Sequence, residues 1–170
     1  MWTPVYSVVW RSLLLKAGAS VTRVEGVKAG WLPDCRPILL THLGTNQFPL
    51  STYLPHIWRH RFSIFSSAGK PKPGPGSQLV DIAGPLCFQG DYLARQVELV
   101  GSTEPGDLLA VLDTGAYTMA MYCKFNSIRA SPVYGFWRDE AGRVRLVCYK
   151  QRETVDECLH FWGLQNPKYL

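Results

Sequence analysis

Charge is scarce in this chain, and long apolar runs are absent. Only 18% of its 170 residues are charged and 46% are apolar, which excludes a disordered polyelectrolyte and indicates a globular domain with a core. No apolar stretch approaches the roughly 18–20 residues that a membrane-spanning helix needs, and Arg11 and Lys16 interrupt the longest one. The same two residues, with Trp10, break up any secretory signal, and no small-residue cleavage site follows them. A soluble, intracellular protein without a membrane partner is expected. C-x-x-C pairs are also missing. The five cysteines (Cys35, Cys87, Cys123, Cys148 and Cys158) stand at irregular spacings, and an odd number without a signal argues against a disulfide framework. Cys35, His42, His56 and His60 offer poor metal-ligand spacing, because Pro55 opposes the helix that would bring His56 and His60 to one face. No metal is expected. The net charge of +5 comes from scattered residues. The cluster Trp58-Arg59-His60-Arg61-Phe62 is better read as a strand rim than as a nucleic-acid surface.

What the chain does have is punctuation. Fifteen glycines and twelve prolines suit many short strands better than long helices. The alternation in Val21–Val27 predicts a half-buried strand, and residues 37–41 a second. Residues 44–55 are rich in loop formers. Residues 66–77, with alternating Pro and Gly, can supply neither ladder donors nor a helix and predict an exposed loop. Further strands are expected at Leu79–Ala83 and at Leu108–Leu112, the latter apolar enough to be buried on both faces. Residues 133–137 and 143–150 flank a turn and predict a hairpin. Thr154 and Glu157 form a capping box for one short C-terminal helix that would pack through Leu159, Phe161 and Trp162. The fold class is mainly β, a Greek-key β-sandwich or distorted barrel. Residues 1–10 form an atypical start, and 11–170 one β-domain.

The segment Gly84-Pro85-Leu86-Cys87-Phe88-Gln89-Gly90-Asp91 carries more specific information. It resembles the G-P-x-C-x-x-x-D signature of the fold-type III pyridoxal-phosphate decarboxylases, the family of diaminopimelate, ornithine and arginine decarboxylases. Residues 104–109 and 113–117 resemble the family's P-G-D and D-x-G-A-Y motifs, Phe125-Asn126 its [FY]-N element, and Arg152-Glu153-Thr154 its R-E-T ending. Arg11–Lys28 is similar to the stretch where those chains enter their C-terminal β-domain. The resemblance implies that domain, which in the family completes an active site between the barrel of one subunit and the β-domain of its dimer partner. It implies that Cys87 acts across the dimer as a proton donor near the substrate carbon, and that Tyr117 donates its hydroxyl to the cofactor phosphate. Arg11 stands where a cofactor-binding arginine would lie. Asp91 is either an interface aspartate paired with a barrel lysine or an ordinary turn carboxylate.

Departures from the family pattern shape the functional expectation. Nothing in the chain resembles the barrel with its Schiff-base lysine and phosphate loop, and neither Lys16 nor Lys28 has that lysine's context. Val8 stands where the E-P-G-R glutamate would. Phe88 occupies the position that is usually acidic in enzymes for diamino substrates, and an apolar ring cannot pair with a distal ammonium. The chain is therefore expected to be an incomplete part of a pyridoxal 5′-phosphate decarboxylase, not catalytic alone and not binding the cofactor alone. The alternatives are a non-catalytic partner or regulator of a full-length decarboxylase, or one half of a split enzyme. Each would form a homodimer, or a heterodimer with a barrel-containing chain.

Overall fold

Alternating side chains on the predicted first strand become β1 (Ala19–Lys28), with Thr22 and Val24 buried and Val21 turned to the opposite face. The computed structural model of the protein describes residues 14–30, 35–72 and 76–163. These divide into two compact units, up to Cys123 and from Lys124 onward. Residues 1–10 and Arg11 lie outside the described residues, as do positions 73–75 of the predicted loop.

In the first unit, β1 joins β2 (Ile38–Thr41), β3 (Phe62–Phe65), β4 (Ser77–Ala83), β5 (Tyr92–Val100) and β6 (Leu108–Leu112) in a sheet of order β3-β6-β1-β2-β4-β5. All pairs are antiparallel except β2 with β4. β1 serves two partners. Residues 19–23 pair with β6 and residues 24–28 with β2, with a register shift between Val24 and Gly26. Val24 holds the corner, its N–H donating to Asp107 O (2.8 Å) and its C=O accepting from Gly106 (2.7 Å). A bulge at such a point bends a strand and increases its twist. A further register shift lies between Val80 and Ile82, and the edge strands β3 and β5 come near each other. The sheet is thus curled towards a barrel, as the pattern of short strands predicts.

Curling places one core inside it. Val24, Leu39, Ile64, Val80, Ile82, Leu99, Leu109 and Val111 pack together with Phe48. Each such side chain contributes about 1.5–3 kcal/mol by leaving water. β6 is buried through Leu109, Ala110 and Val111, matching its continuous apolar sequence. Phe48 enters the core from a segment that the sequence predicts as loop. There α1 (Pro49–Tyr53) makes one turn, opened by a proline whose missing N–H costs nothing at that position.

The second unit holds the predicted hairpin, β7 (Val133–Arg138) and β8 (Val144–Lys150), and the helix α2 (Val155–Phe161). The capping box is present: Thr154 Oγ1 accepts from the Glu157 N–H (3.1 Å), and Glu157 accepts from the Thr154 N–H (2.7 Å). The buried face of α2 differs from expectation. Leu159, Phe161 and Trp162 are exposed, and Cys158 is the buried residue, its thiol donating to Ser127 O (3.4 Å). Glu153 anchors this unit. It pairs with Lys124 and accepts from the Ala130 N–H (2.9 Å), and Lys124 holds its carboxyl below the usual range.

Candidate functional site

The turn between β4 and β5 is built around a buried carboxylate. Asp91 is 3% exposed and accepts from the N–H of Leu86 (2.6 Å) and the N–H of Thr45 (2.7 Å). One side chain thus ties the turn to the loop after β2. The turn closes on itself as well: Gly84 N–H donates to Asp91 O (2.9 Å) and Asp91 N–H to Phe88 O (3.0 Å). A Cβ on Gly44 or Gly84 would overlap the Asp91 oxygens, so both positions demand glycine. Within the described residues Asp91 is a turn carboxylate bonded to two backbone N–H groups. On this locked base Cys87 is exposed, and Phe88 is 44% exposed with its ring lying over Gly90.

The second motif, Asp113–Tyr117, leaves β6 through two non-glycine residues in the left-handed region, Asp113 (φ 61°) and Tyr117 (φ 57°). For a bulky aromatic this conformation is strained, and such strain concentrates at functional positions. Surrounding contacts enforce it. Asp113 accepts a fork from Arg61 (2.8 and 2.9 Å) and an ion pair from Lys16 (2.9 Å). The Arg61 guanidinium, opposed by burial and aided by Lys16, holds this carboxyl far below the usual range. Thr118 Oγ1 donates to Thr114 O (2.6 Å), and Gly115 N–H to Leu15 O (3.1 Å). Tyr117 emerges 43% exposed, its ring edge-on to buried Trp58 at 5.4 Å.

Sequence patterning missed a groove of about 640 Å³ beside β5. Of the run 58–62, read as a strand rim, Phe62 opens β3, and it lines the groove together with Trp58, Arg59, His60, Ser51, Tyr92 and Arg95. His60 is edge-on to Phe48 (5.3 Å), and burial pushes its imidazole below the ordinary value. Gly90 of the first motif and Trp58, which supports Tyr117, share this lining, whereas Cys87, Phe88 and Tyr117 stand outside it. Among the described residues no cluster of three or more His, Cys, Asp or Glu side chains converges as metal ligands would, and no helix is long and apolar enough to cross a membrane.

Comparison with known proteins places the chain in one lineage. The family described as pyridoxal-dependent decarboxylase, C-terminal sheet domain, matches residues 5–115. A diaminopimelate decarboxylase of Actinosynnema pretiosum is 31% identical over 151 residues, covering 88% of this chain and 30% of the relative. One from Escherichia coli K12 is 27% identical over 155 residues, covering 88% and 34%. A crystal structure of diaminopimelate decarboxylase superposes with a TM-score of 0.74 at 26% identity, covering 92% of this chain and 36% of the other. The chain thus spans about a third of the length of these relatives. Its curled sheet and the extent of the match agree: the chain belongs to the pyridoxal-dependent decarboxylase family, as its C-terminal sheet domain.

Proposed function

We propose that this chain supplies the sheet-domain share of a pyridoxal 5′-phosphate-dependent amino-acid decarboxylase site and is not catalytic alone. The observation that carries this is Cys87, an exposed thiol on a turn locked from beneath by Asp91. In this role Cys87 Sγ–H delivers a proton to the substrate carbon across a dimer interface, and the rigid turn fixes where the sulfur stands. Tyr117, strained and exposed beside Trp58, directs its hydroxyl to the cofactor phosphate. The residues present fit part of the cofactor's needs. The family resemblance puts the lysine that holds the group in the barrel, which in this reading a barrel-bearing partner supplies, in a homodimer or a heterodimer; in this chain Lys16, Lys72 and Lys124 pair with Asp113, Asp107 and Glu153. When bound, pyridoxal phosphate acts as the electron sink for carbon dioxide loss. Phe88 offers no charge to a distal ammonium, which argues against a diamino acid as the substrate.

The test combines this chain with the separately expressed barrel of the Escherichia coli relative and measures carbon dioxide release across amino acids with and without a distal ammonium. The chain alone should show no visible band of bound cofactor. The combination should release carbon dioxide, with losses of at least about a hundredfold on Cys87→Ala, the scale of a lost acid–base group. Full activity of the Cys87→Ala combination would overturn the assignment.

A further inference from the structure

The antiparallel pairing of β3 with β6 reaches Phe62↔Val111, and contacts between the two segments continue past it. Leu112 N–H donates to Arg61 O (2.8 Å), and the Arg61 guanidinium grips Asp113 (2.8 and 2.9 Å). His60 Nδ1 donates to Leu112 O (3.0 Å), since a carbonyl can only accept. The last contact of the series is between rings. Trp58 lies edge-on to Tyr117, with centroids 5.4 Å apart and planes at 87°. Residues 58–62 and 111–117 are thus closed together from the strand pair outward, and the series finishes on the tyrosine of the second motif.

The two rings are anchored differently. Trp58 is 7% exposed, and its N–H donates to Leu54 O (2.8 Å) in the turn that follows α1. Tyr117 is fixed at its backbone, where φ is 57° and the adjoining Thr118 Oγ1 donates to Thr114 O (2.6 Å). Its side chain has no comparable tie. Among the described residues the Tyr117 hydroxyl makes no hydrogen bond, and its ring meets one other aromatic ring, that of Trp58. A half-exposed tyrosine without such a neighbour distributes over its staggered rotamers. An edge-to-face pair favours one arrangement by about fivefold.

We propose that Trp58 is a positioning residue for Tyr117: its ring selects the rotamer that carries the Tyr117 hydroxyl to the cofactor phosphate. That purpose rests on the decarboxylase role proposed for the chain, whereas the ring contact does not.

Two measurements test this. In the whole chain labelled with 3-fluorotyrosine, the fluorine resonance of Tyr117 is assigned by its loss in Tyr117→Phe. Trp58→Leu should shift that resonance, and an unmoved one would overturn the proposal. Because Trp58→Leu empties buried volume, a reciprocal change guards against a misfolded variant. Tyr117→Leu, at an exposed position, should move the Trp58 resonance of a 5-fluorotryptophan-labelled chain, and no movement would equally overturn the proposal. The second measurement is the affinity for pyridoxal 5′-phosphate of the chain combined with the Escherichia coli barrel. Trp58→Leu should weaken it about fivefold, and Trp58→Phe, which keeps an aromatic face, by no more than about twofold. Placed on Tyr117→Phe, which has already lost the hydroxyl, Trp58→Leu should weaken it no further, because nothing is left to position. Additive losses would show a merely structural role and overturn the proposal. Unchanged affinity in Tyr117→Phe, with both resonances moving as expected, would instead overturn the phosphate role of Tyr117 and with it the purpose assigned to Trp58.

Discussion

At the scale of single residues, Asp91 and Cys87 divide the labour of one motif. Asp91 is buried and holds two backbone N–H groups, one from its own turn and one from the loop after β2. Replacing it by alanine strands both donors in a dry environment. Asp91→Ala should therefore cost about 3 kcal/mol or more, given about 1.5–3 kcal/mol for each bond to a charged acceptor. Urea unfolding checks this through a lowered midpoint at unchanged slope. Cys87 is exposed, so Cys87→Ala should change stability by no more than about 0.5 kcal/mol. The motif was legible in the sequence through its resemblance to the family's G-P-x-C-x-x-x-D signature. What the letters could not separate was which member faces in, since a carboxylate and a thiol invite the opposite guess.

At the scale of elements, α2 and the hairpin show how far local rules reach. The Thr154–Glu157 box is a local motif and formed where predicted. Thr154→Ala should cost about 1 kcal/mol, seen as faster amide exchange at Glu157 and Cys158. Which face of α2 is buried is not local, and there the pattern misled: the large side chains Leu159, Phe161 and Trp162 are exposed while Cys158 is covered. The hairpin carries Tyr134, Phe136, Trp137, Leu146 and Tyr149 exposed on its two strands. A two-stranded ribbon with so little burial is marginal. Amides in β7 and β8 should exchange by local opening, well before those of β6, whose Leu109 and Val111 are fully buried.

For the molecule as a whole, half-buried His60 and a set of carboxylates held below their usual range, Asp113 and Glu153 among them, shape the acid response. His60 has its value lowered by burial, so below about pH 6.5, the ordinary value, the unfolded chain takes up a proton that the folded chain refuses. Stability should begin to fall there. Asp113 is depressed by Arg61 and Lys16. Its contribution is complete above the ordinary carboxylate value of about 4, declines as pH drops below that value, and is gone once pH passes the folded-state value. Thermal midpoints between pH 8 and pH 3 should show two successive declines, and His60→Phe should flatten the first alone. A single decline confined to the carboxylate range would contradict the assignment to His60.

Amino-acid order alone determined what depends on near neighbours: the short strands, the capped helix and the hairpin. These are set by side-chain period, turn chemistry and spacing within a few residues, whereas the segments carrying Cys87, Asp91 and Tyr117 were legible only through their resemblance to a known family. Tertiary structure alone decided what depends on distant pieces of chain meeting. β1 changes partner at Val24 because Gly106 and Asp107 reach it there. Asp91 is buried because Thr45 comes to it, and Tyr117 is held in a strained conformation beside Trp58. The groove that gathers Ser51, Arg59, His60 and Arg95 exists only once the curled sheet sets β5 beside α1. No local pattern encodes a cavity, because its walls are joined by packing and not by sequence.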